Sequence, residues 1–259
     1  MFRRLPPTGG DQRAVAEIVN GMMDGKTNNT GTVTLATGNA TTTTISDPRI
    51  SRDSMILLVP KSAAAFADTA PYGAFQSLVD QFIGSITTAY AVTLDTTDFT
   101  NGVYLSNSSR MNVRNAGIYN LQWSGQFENT DSQDHDAYVW LRKNGTDITG
   151  STGVIVIPSK HGTVNGHTIS GWNYFIECVA NDYIELYWSS DSTTVSLQLY
   201  PIGTLPSKPS TASIITTLQY IAPNVMDNVY ISAQTNGSAT ITHFANSTAS
   251  KTYGYVIVG

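Results

Sequence analysis

Short runs of β-branched and apolar residues, separated every few positions by glycine, asparagine, aspartate or proline, extend from residue 31 to the end of the 259-residue chain. Within a run such as Thr32–Ala36, threonine alternates with apolar residues, which is typical of a strand with one buried face. Turn residues at short intervals favour antiparallel connections over βαβ units. The sequence therefore predicts a mainly β fold, with an antiparallel jelly-roll sandwich as its largest part.

One short amphipathic helix is predicted ahead of the strands, over Asp11–Met23. Its apolar residues recur at helical spacing and form one stripe: Val15, Ile18, Val19, Met22 and Met23. Thr8-Gly9-Gly10-Asp11 supplies capping residues at the start, and Gly25 is the predicted stop. A helix of about 13 residues is marginal alone in water, so the stripe needs a partner. Packing on its own domain, anchoring on another protein and association of three helices all stay open.

The strand segments fall into three blocks of unequal size. The first block ends near residue 62, and the last, after Pro223, has only about 37 residues, fewer than a chain usually needs to hold a core. We therefore expect the two ends, 1–66 and 222–259, to share one small discontinuous β-domain. The middle block, 88–221, would be an inserted jelly roll, and 67–87 a linker with a weak helical pattern over 74–84.

Ten strands are predicted in the middle block, and one hairpin between them is strongly indicated. Asn144-Gly145 lies between two strand segments, and this dipeptide favours the tight turn of a two-residue hairpin. The predicted strands are Tyr90–Leu94, Val103–Leu105, Arg110–Val113, Gly117–Glu128, Asp136–Lys143, Thr152–Pro158, Thr168–Cys178, Asp182–Ser189, Ser196–Pro201 and Ala212–Tyr220.

Three motifs of the middle block resemble the globular-head jelly roll of the complement and tumour necrosis factor families. Met111–Leu121 matches that family's turn, Gly-x-Tyr and strand, and Val139–Gly145 matches its strand with an Asn-Gly hairpin. Ala180–Leu186 matches its late turn, although Asn181 stands where the family usually has glycine. Asparagine tolerates the left-handed backbone that such a turn needs. The resemblance covers about 130 residues, and it implies a ten-strand sandwich and a tight threefold assembly.

The two ends of the chain are similar to a small β-module of tailed-bacteriophage virion proteins. The segments that carry this likeness are Gly31–Leu35, Thr41–Ile45, Ser54–Pro60, Val229–Ser232, Ala239–His243 and Tyr253–Gly259. In that family the module is often attached to appendage or decoration proteins. The resemblance implies a protein of the virion surface, assembled in the bacterial host cytoplasm, and it separately suggests the same insertion of the middle block.

Charge and hydropathy argue against nucleic-acid binding and membrane insertion. The net charge is −5, whereas a nucleic-acid interface is basic and clustered. No run of 18 apolar residues is present, so no membrane-spanning segment is expected. The single cysteine, Cys178, lies in an apolar run and is predicted to be core. No cofactor is expected, because the chain carries no phosphate-binding glycine loop.

Catalytic and metal-binding motifs are also lacking, and no catalytic residue is assigned. The four histidines show no paired metal spacing, and no carboxylate pair stands out for glycosidase chemistry. One acidic turn supplies weak candidates for a structural cation, since carboxylate oxygens are calcium ligands: Asp131, Asp134 and Asp136. A solvated acidic turn is the simpler interpretation. The sequence favours a protein that is not an enzyme.

Aromatic residues concentrate in the predicted jelly roll, where they can serve as core, as subunit interface or as platforms for sugar rings. The candidates for interface or ligand contacts are Trp123, Tyr138, Trp140, Trp172, Tyr187 and Trp188. The favoured hypothesis is a homotrimeric capsid decoration or head-fibre protein, bound to other virion proteins through the helix and the split β-domain. The alternative is a tail-associated receptor-binding protein that recognises a host surface glycan or protein.

Overall fold

The computed structural model describes residues 11–24, 28–66, 69–221 and 229–259. Strands make up 55% of the chain and helix 7%, and the strand pairs described are antiparallel. The predicted fold class, mainly β with one short N-terminal helix, is confirmed. The chain divides into two compact units, which are Met1–Asp68 with Met226–Gly259 (unit 1) and Thr69–Val225 (unit 2).

The elements of the described residues follow one another as two helices and a long series of strands. In chain order they are α1 (Gln12–Met23), β1 (Thr30–Thr34), β2 (Ala40–Ser46), β3 (Met55–Pro60), α2 (Ala63–Phe66), β4 (Tyr72–Ser77), β5 (Gln81–Phe82), β6 (Tyr90–Ala91), β7 (Thr96–Asn101), β8 (Val103–Ser106), β9 (Arg110–Val113), β10 (Gly117–Asn129), β11 (His135–Lys143), β12 (Thr146–Asp147), β13 (Gly153–Ile157), β14 (Gly166–Cys178), β15 (Tyr183–Ser190), β16 (Val195–Leu197), β17 (Gly203–Thr204), β18 (Ser207–Lys208), β19 (Ile214–Tyr220), β20 (Tyr230–Thr235), β21 (Ser238–Asn246) and β22 (Thr252–Val258).

Helix α1 begins where the capping residue predicts. The Asp11 side chain accepts a hydrogen bond from the Ala14 backbone N–H at 2.7 Å, which satisfies one of the donors left free at a helix start. The other predicted capping residues, 8–10, and the predicted stop at Gly25 lie outside the described residues.

Unit 1 contains two three-stranded sheets, and each sheet joins strands from both ends of the chain. One has the order β1-β22-β3 and the other β2-β21-β20. Their inward side chains form a common core: Leu35, Ile45, Ile50, Ala65, Ala239, Ile241, Tyr253, Tyr255 and Ile257. Residues Ala63–Phe66 form the short helix α2, whose Ala65 is buried in this core.

A buried polar contact fixes the position of Tyr255 in this core. Its hydroxyl donates to the Asp47 carboxylate at 2.9 Å, and the Arg49 guanidinium binds the same carboxylate. The Arg49 guanidinium beside Asp47 holds the pKa of that carboxyl well below its usual range. Gly31 lies opposite Tyr255 in the β1–β22 pair, and the tyrosine ring occupies the space where a side chain at Gly31 would be.

Unit 2 is a sandwich of two sheets that pack face to face around one core. The first sheet has the order β5-β16-β10-β19-β4-β7 with β14 on the other edge of β10, and the second has β12-β11-β15-β9-β8 with β13 and β6 at its sides. Four of these fourteen strands are only two or three residues long, which leaves ten longer strands, five in each sheet.

The chain crosses repeatedly between the two sheets of unit 2, as it does in a jelly roll. Strands β10, β14 and β19 belong to the first sheet, whereas β11 and β15 belong to the second. Inward side chains of both sheets form the core, whose largest fully buried members are Phe75, Met111, Tyr119, Leu121, Phe127, Ile157, Ile184, Leu186, Trp188, Leu197 and Ile214.

The predicted linker over 67–87, with its helical pattern over 74–84, is wrong for most of its length. Residues 72–77 form β4, which pairs with β19 inside the first sheet, and Phe75 is fully buried. Two small residues, Gly73 and Ala74, precede Phe75 in this stretch. The sequence therefore lacks the regular alternation of apolar and polar residues that predicts a strand. Strand β7 was also missed, since its sequence is mostly polar.

Both turn predictions of the middle block are confirmed. Asn144 and Gly145 have positive φ angles of 52° and 80° and connect β11 to β12 as a two-residue hairpin. Asn181 adopts a left-handed backbone with φ of 73°, a conformation that asparagine tolerates better than most residues.

The close approach at Gly31 leads to a stability prediction. A Cβ at Gly31 would lie 2.2 Å from Tyr255 Cζ, and the buried ring cannot move without breaking its contact with Asp47. Gly31→Ala should therefore destabilise the protein by roughly 1–3 kcal/mol, the usual cost of overpacking. Chemical denaturation followed by circular dichroism measures this effect.

Gly254→Ala is the matched control, because Gly254 lies in the neighbouring strand and its nearest contact to an added Cβ is 3.8 Å away. Equal losses of stability in the two variants would contradict the argument.

Candidate functional site

The acidic turn between β10 and β11 does not bring its three carboxylates together. Asp131 contacts His135, Asp134 accepts a hydrogen bond from the Ser159 backbone N–H at 2.7 Å, and Asp136 lies within β11. Throughout the described part of the chain, no group of three histidine, cysteine or acidic residues is placed to hold a metal ion. The three candidate carboxylates therefore do not converge on one cation site, and Asp131 and Asp134 bind different partners.

His135 instead links two loops at this end of the sandwich. Its Nε2 lies 3.0 Å from Asp131 Oδ2, and its Nδ1 lies 3.1 Å from Asp191 Oδ1. Both nitrogens face carboxylates, so the ring satisfies both contacts as donor only when it is doubly protonated. The hydrogen bond to Asp131, reinforced by the charge of Asp191, raises the pKa of His135.

The other titratable candidates have structural surroundings. His243 is buried, with Thr43 Oγ1 2.8 Å from its Nε2 and the Phe244 carbonyl 2.7 Å from its Nδ1. Cys178 belongs to the core of unit 2, and burial raises the pKa of its thiol to about 11. A thiol in such surroundings is a poor nucleophile near neutral pH.

Two of the six aromatic candidates belong to the core rather than to a surface. Trp188 is fully buried and meets Phe127 edge to face, with ring centroids 6.2 Å apart. Trp123 is also buried in the same cluster. The prediction of a surface role is wrong for both, because they point into the sandwich. Trp172, which pairs with Trp123 across β10 and β14, lies at the sandwich edge and is 51% exposed.

The remaining three aromatic candidates lie together on the outer face of the second sheet. Trp140 on β11 pairs with Tyr187 on β15, and Tyr138 lies two residues before Trp140. The Arg142 guanidinium stacks 3.8 Å from the Tyr187 ring centroid, and the Trp140 indole N–H donates to Asp147 at 2.7 Å. This charged aromatic face combines flat rings with a carboxylate and a guanidinium, a combination that suits polar ligands such as sugars.

The outer face of the first sheet is chemically different, and sequence reasoning did not identify it. The β10–β14 ladder carries charge or histidine only at its ends, in the Ile118–Glu177 and Glu128–His167 pairs. Between them the outward residues are amides, hydroxyls and large apolar side chains, with Ile169 68% and Phe175 61% exposed. We call this surface the neutral face; its outward residues are Ile118, Asn120, Gln122, Ser124, Gln126, Ile169, Asn173, Phe175, Ile215, Thr217 and Gln219.

The predicted docking helix presents its stripe to solvent. Val15, Val19 and Met22 are exposed, and Ile18 is partly exposed. The only charged residues within α1, Arg13 and Glu17, lie 3.6 Å apart on the opposite side of the helix. The stripe is therefore free of charge along its length. No helix among the described residues is long and apolar enough to cross a membrane.

Comparison with known proteins does not place the chain in a family. No protein-family model matches its sequence. A search of curated proteins also returns no match.

The contacts of His135 predict a pH dependence. Its pKa is raised in the folded state, so its contribution to stability is complete below the unfolded value of about 6.5 and is lost as pH rises through the folded value. His135→Gln should therefore lower the melting temperature most near pH 6, where the carboxylates are still ionised. The difference from the wild type should narrow towards pH 9.

Exposed His161 provides the control, since His161→Gln removes an imidazole from a nearby loop without affecting the two carboxylate contacts. A difference in melting temperature between His135→Gln and the wild type that stayed constant from pH 6 to pH 9 would contradict this prediction. The ring would then act by packing alone.

Proposed function

We propose that this chain is a non-enzymatic structural protein of the bacteriophage virion surface, a homotrimeric capsid decoration or head-fibre protein. Unit 1 would dock on another virion protein, and unit 2 would hold three copies together. The phage assignment is supported by the resemblance of the terminal strand segments to a virion module, and those segments include the strands of the two sheets of unit 1.

The observation that carries the proposal is the neutral face of unit 2. Monomeric proteins seldom expose a contiguous patch that contains several large apolar side chains and no charge. Phe175 and Ile169 lie on β14 and Ile215 lies on β19, with β10 between these strands, and uncharged amide and hydroxyl side chains lie among them. Three copies of this face that converge on a threefold axis bury one another without desolvating any charge, which is the usual character of an interface centre.

Composition supports the same interpretation. Charged residues are 13% of the chain, against about 25% in an average soluble domain. A chain with so few charges leaves much neutral surface, and burial of that surface between subunits releases water from it. The threefold order comes from the resemblance to the globular-head family, whose sandwiches form tight trimers.

The neutral face predicts which variants dissociate the assembly. Phe175→Asp or Ile169→Asp would place a charge inside the proposed interface, at a cost of at least about 2 kcal/mol per contact in the free energy of association. Light scattering at micromolar concentration should report three chain masses for the wild type and one for each variant. Circular dichroism should show that the variants remain folded, because both side chains point away from the core.

Val154→Asp is the matched control, since Val154 is 64% exposed on the outer face of the second sheet. It should keep the mass of the wild type. A wild-type monomer at micromolar concentration would overturn the proposed assembly.

A tail-associated receptor-binding protein is the second candidate, and the charged aromatic face is the observation that favours it. Trp140, Tyr187, Arg142 and Asp147 form a compact set of stacked and hydrogen-bonded groups at the surface. Planar rings beside paired charges are suited to bind sugar rings and their hydroxyl groups.

Gold-antibody labelling of intact particles distinguishes the two candidates. The structural proposal predicts label over the head and no adsorption of the isolated protein to host cells. Label at the tail, together with adsorption that Trp140→Ala reduces at least tenfold, would replace it with the receptor-binding function.

A further inference from the structure

Unit 1 has a sheet that carries apolar residues on both faces, although β1 adds only threonines to the outer face. In β1-β22-β3, the inward residues Tyr253, Tyr255 and Ile257 belong to the core of the unit. On the outer face, Met55, Leu57 and Val59 of β3 are each at least half exposed, as is Val258 of β22. A sheet face of this kind is normally covered by another element, most often a helix or a second sheet.

The same outer face contains a shallow depression. Gly254, on the central strand, has no side chain, and it pairs with Thr32 on one side and Val59 on the other. The depression has a volume of about 420 Å³, and its lining includes Thr32, Val59, Gly254 and Val256. Apart from Lys61 at its border, its lining residues carry no charge. It therefore suits a flexible apolar side chain.

The chain itself contains an element that fits this face. The stripe of α1 is apolar and uncharged, and Val19 is 46% exposed. Twelve helical residues span about 18 Å, and the seven residues of β22 span about 23 Å, so the stripe extends along most of the sheet. Met22 and Met23 are long and unbranched, and methionine adapts to irregular apolar depressions such as the one at Gly254.

We propose that the α1 stripe of one copy packs on the outer β1-β22-β3 face of a neighbouring copy. The proposal rests on the self-association proposed above and narrows the role of the helix, which then binds a second copy rather than another virion protein. In the described part of a single chain the side chains of both surfaces are exposed, so α1 does not pack on this sheet face of its own chain. Each chain supplies one stripe and one sheet face. In a closed ring, the helix of each copy would pack on the sheet of the next, so that every stripe and every face is covered.

Thiol cross-linking tests the exchange. The variant Val19→Cys/Leu57→Cys places one thiol on the stripe and one on the sheet face, and a short bis-maleimide joins thiols that lie close together. Cys178 can stay in place, because it is buried and the pKa of its thiol is about 11. Denaturing gels should show covalent dimers and trimers.

Three control variants make the result specific. Val19→Cys alone, Leu57→Cys alone and Val19→Cys/Val156→Cys should remain monomeric on the gel, Val156 being an exposed residue of unit 2. Cross-linked dimers from Val19→Cys alone would show that helices pack on one another, which would overturn the proposal. A cross-link confined to one chain would show that α1 covers its own sheet and would overturn it as well.

Light scattering of the untreated double variant separates this inference from the function on which it rests. A trimeric mass without covalent dimers would overturn the helix exchange and leave the proposed assembly standing. A monomeric mass for both wild type and variant would overturn the assembly itself.

Discussion

The pairing of β4 with β19 is the contact on which the two-unit organisation depends. These are the first and the last described strands of unit 2, and they pair from Gln219–Tyr72 to Ile214–Ser77. The chain therefore enters and leaves the sandwich on adjacent strands, roughly 5 Å apart. Because the two ends of unit 2 are held together, the segment before β4 and the segment after β19 start close to each other and can pair in unit 1. Closing a loop of about 150 disordered residues would otherwise oppose the pairing of β22 with β1 and β3.

Much of the fold follows from local sequence patterns, because alternation, turn residues and one capping aspartate act over a few positions. The residue types at Asn144-Gly145 and at Asp11 are enough to predict the hairpin and the helix cap that the structure shows. Strand β4 was missed because only its partner β19 and the core beneath it favour a strand at Gly73-Ala74. Its partner strand lies about 140 positions away in the sequence. The residues in a short window around β4 carry no information about that partner.

The candidate site was harder to predict, because alternation shows that a strand has two faces and does not say which one is buried. Trp188 and Trp123 were expected among possible surface aromatics and are core, whereas Ile169 and Phe175 have the composition of core residues and are exposed. In the acidic turn, the sequence shows three aspartates but not their partners. His135 and Ser159 bind two of them separately, so the carboxylates never converge.

The two units share one physical property, which is that a sheet in each unit has apolar residues on both of its faces. In unit 2 the inward face of the first sheet packs against the second sheet, and the neutral face is left over; in unit 1 the same holds for the sheet β1-β22-β3. Neither the neutral face nor the outer face of β1-β22-β3 has a charge near its centre. A partner that covers either face therefore removes mainly apolar and uncharged polar groups from water. Exposed apolar faces often mark sites where other copies or other proteins bind, and both faces therefore support the proposed assembly. The surplus of apolar surface in both units is thus better explained by assembly than by the stability of the single chain.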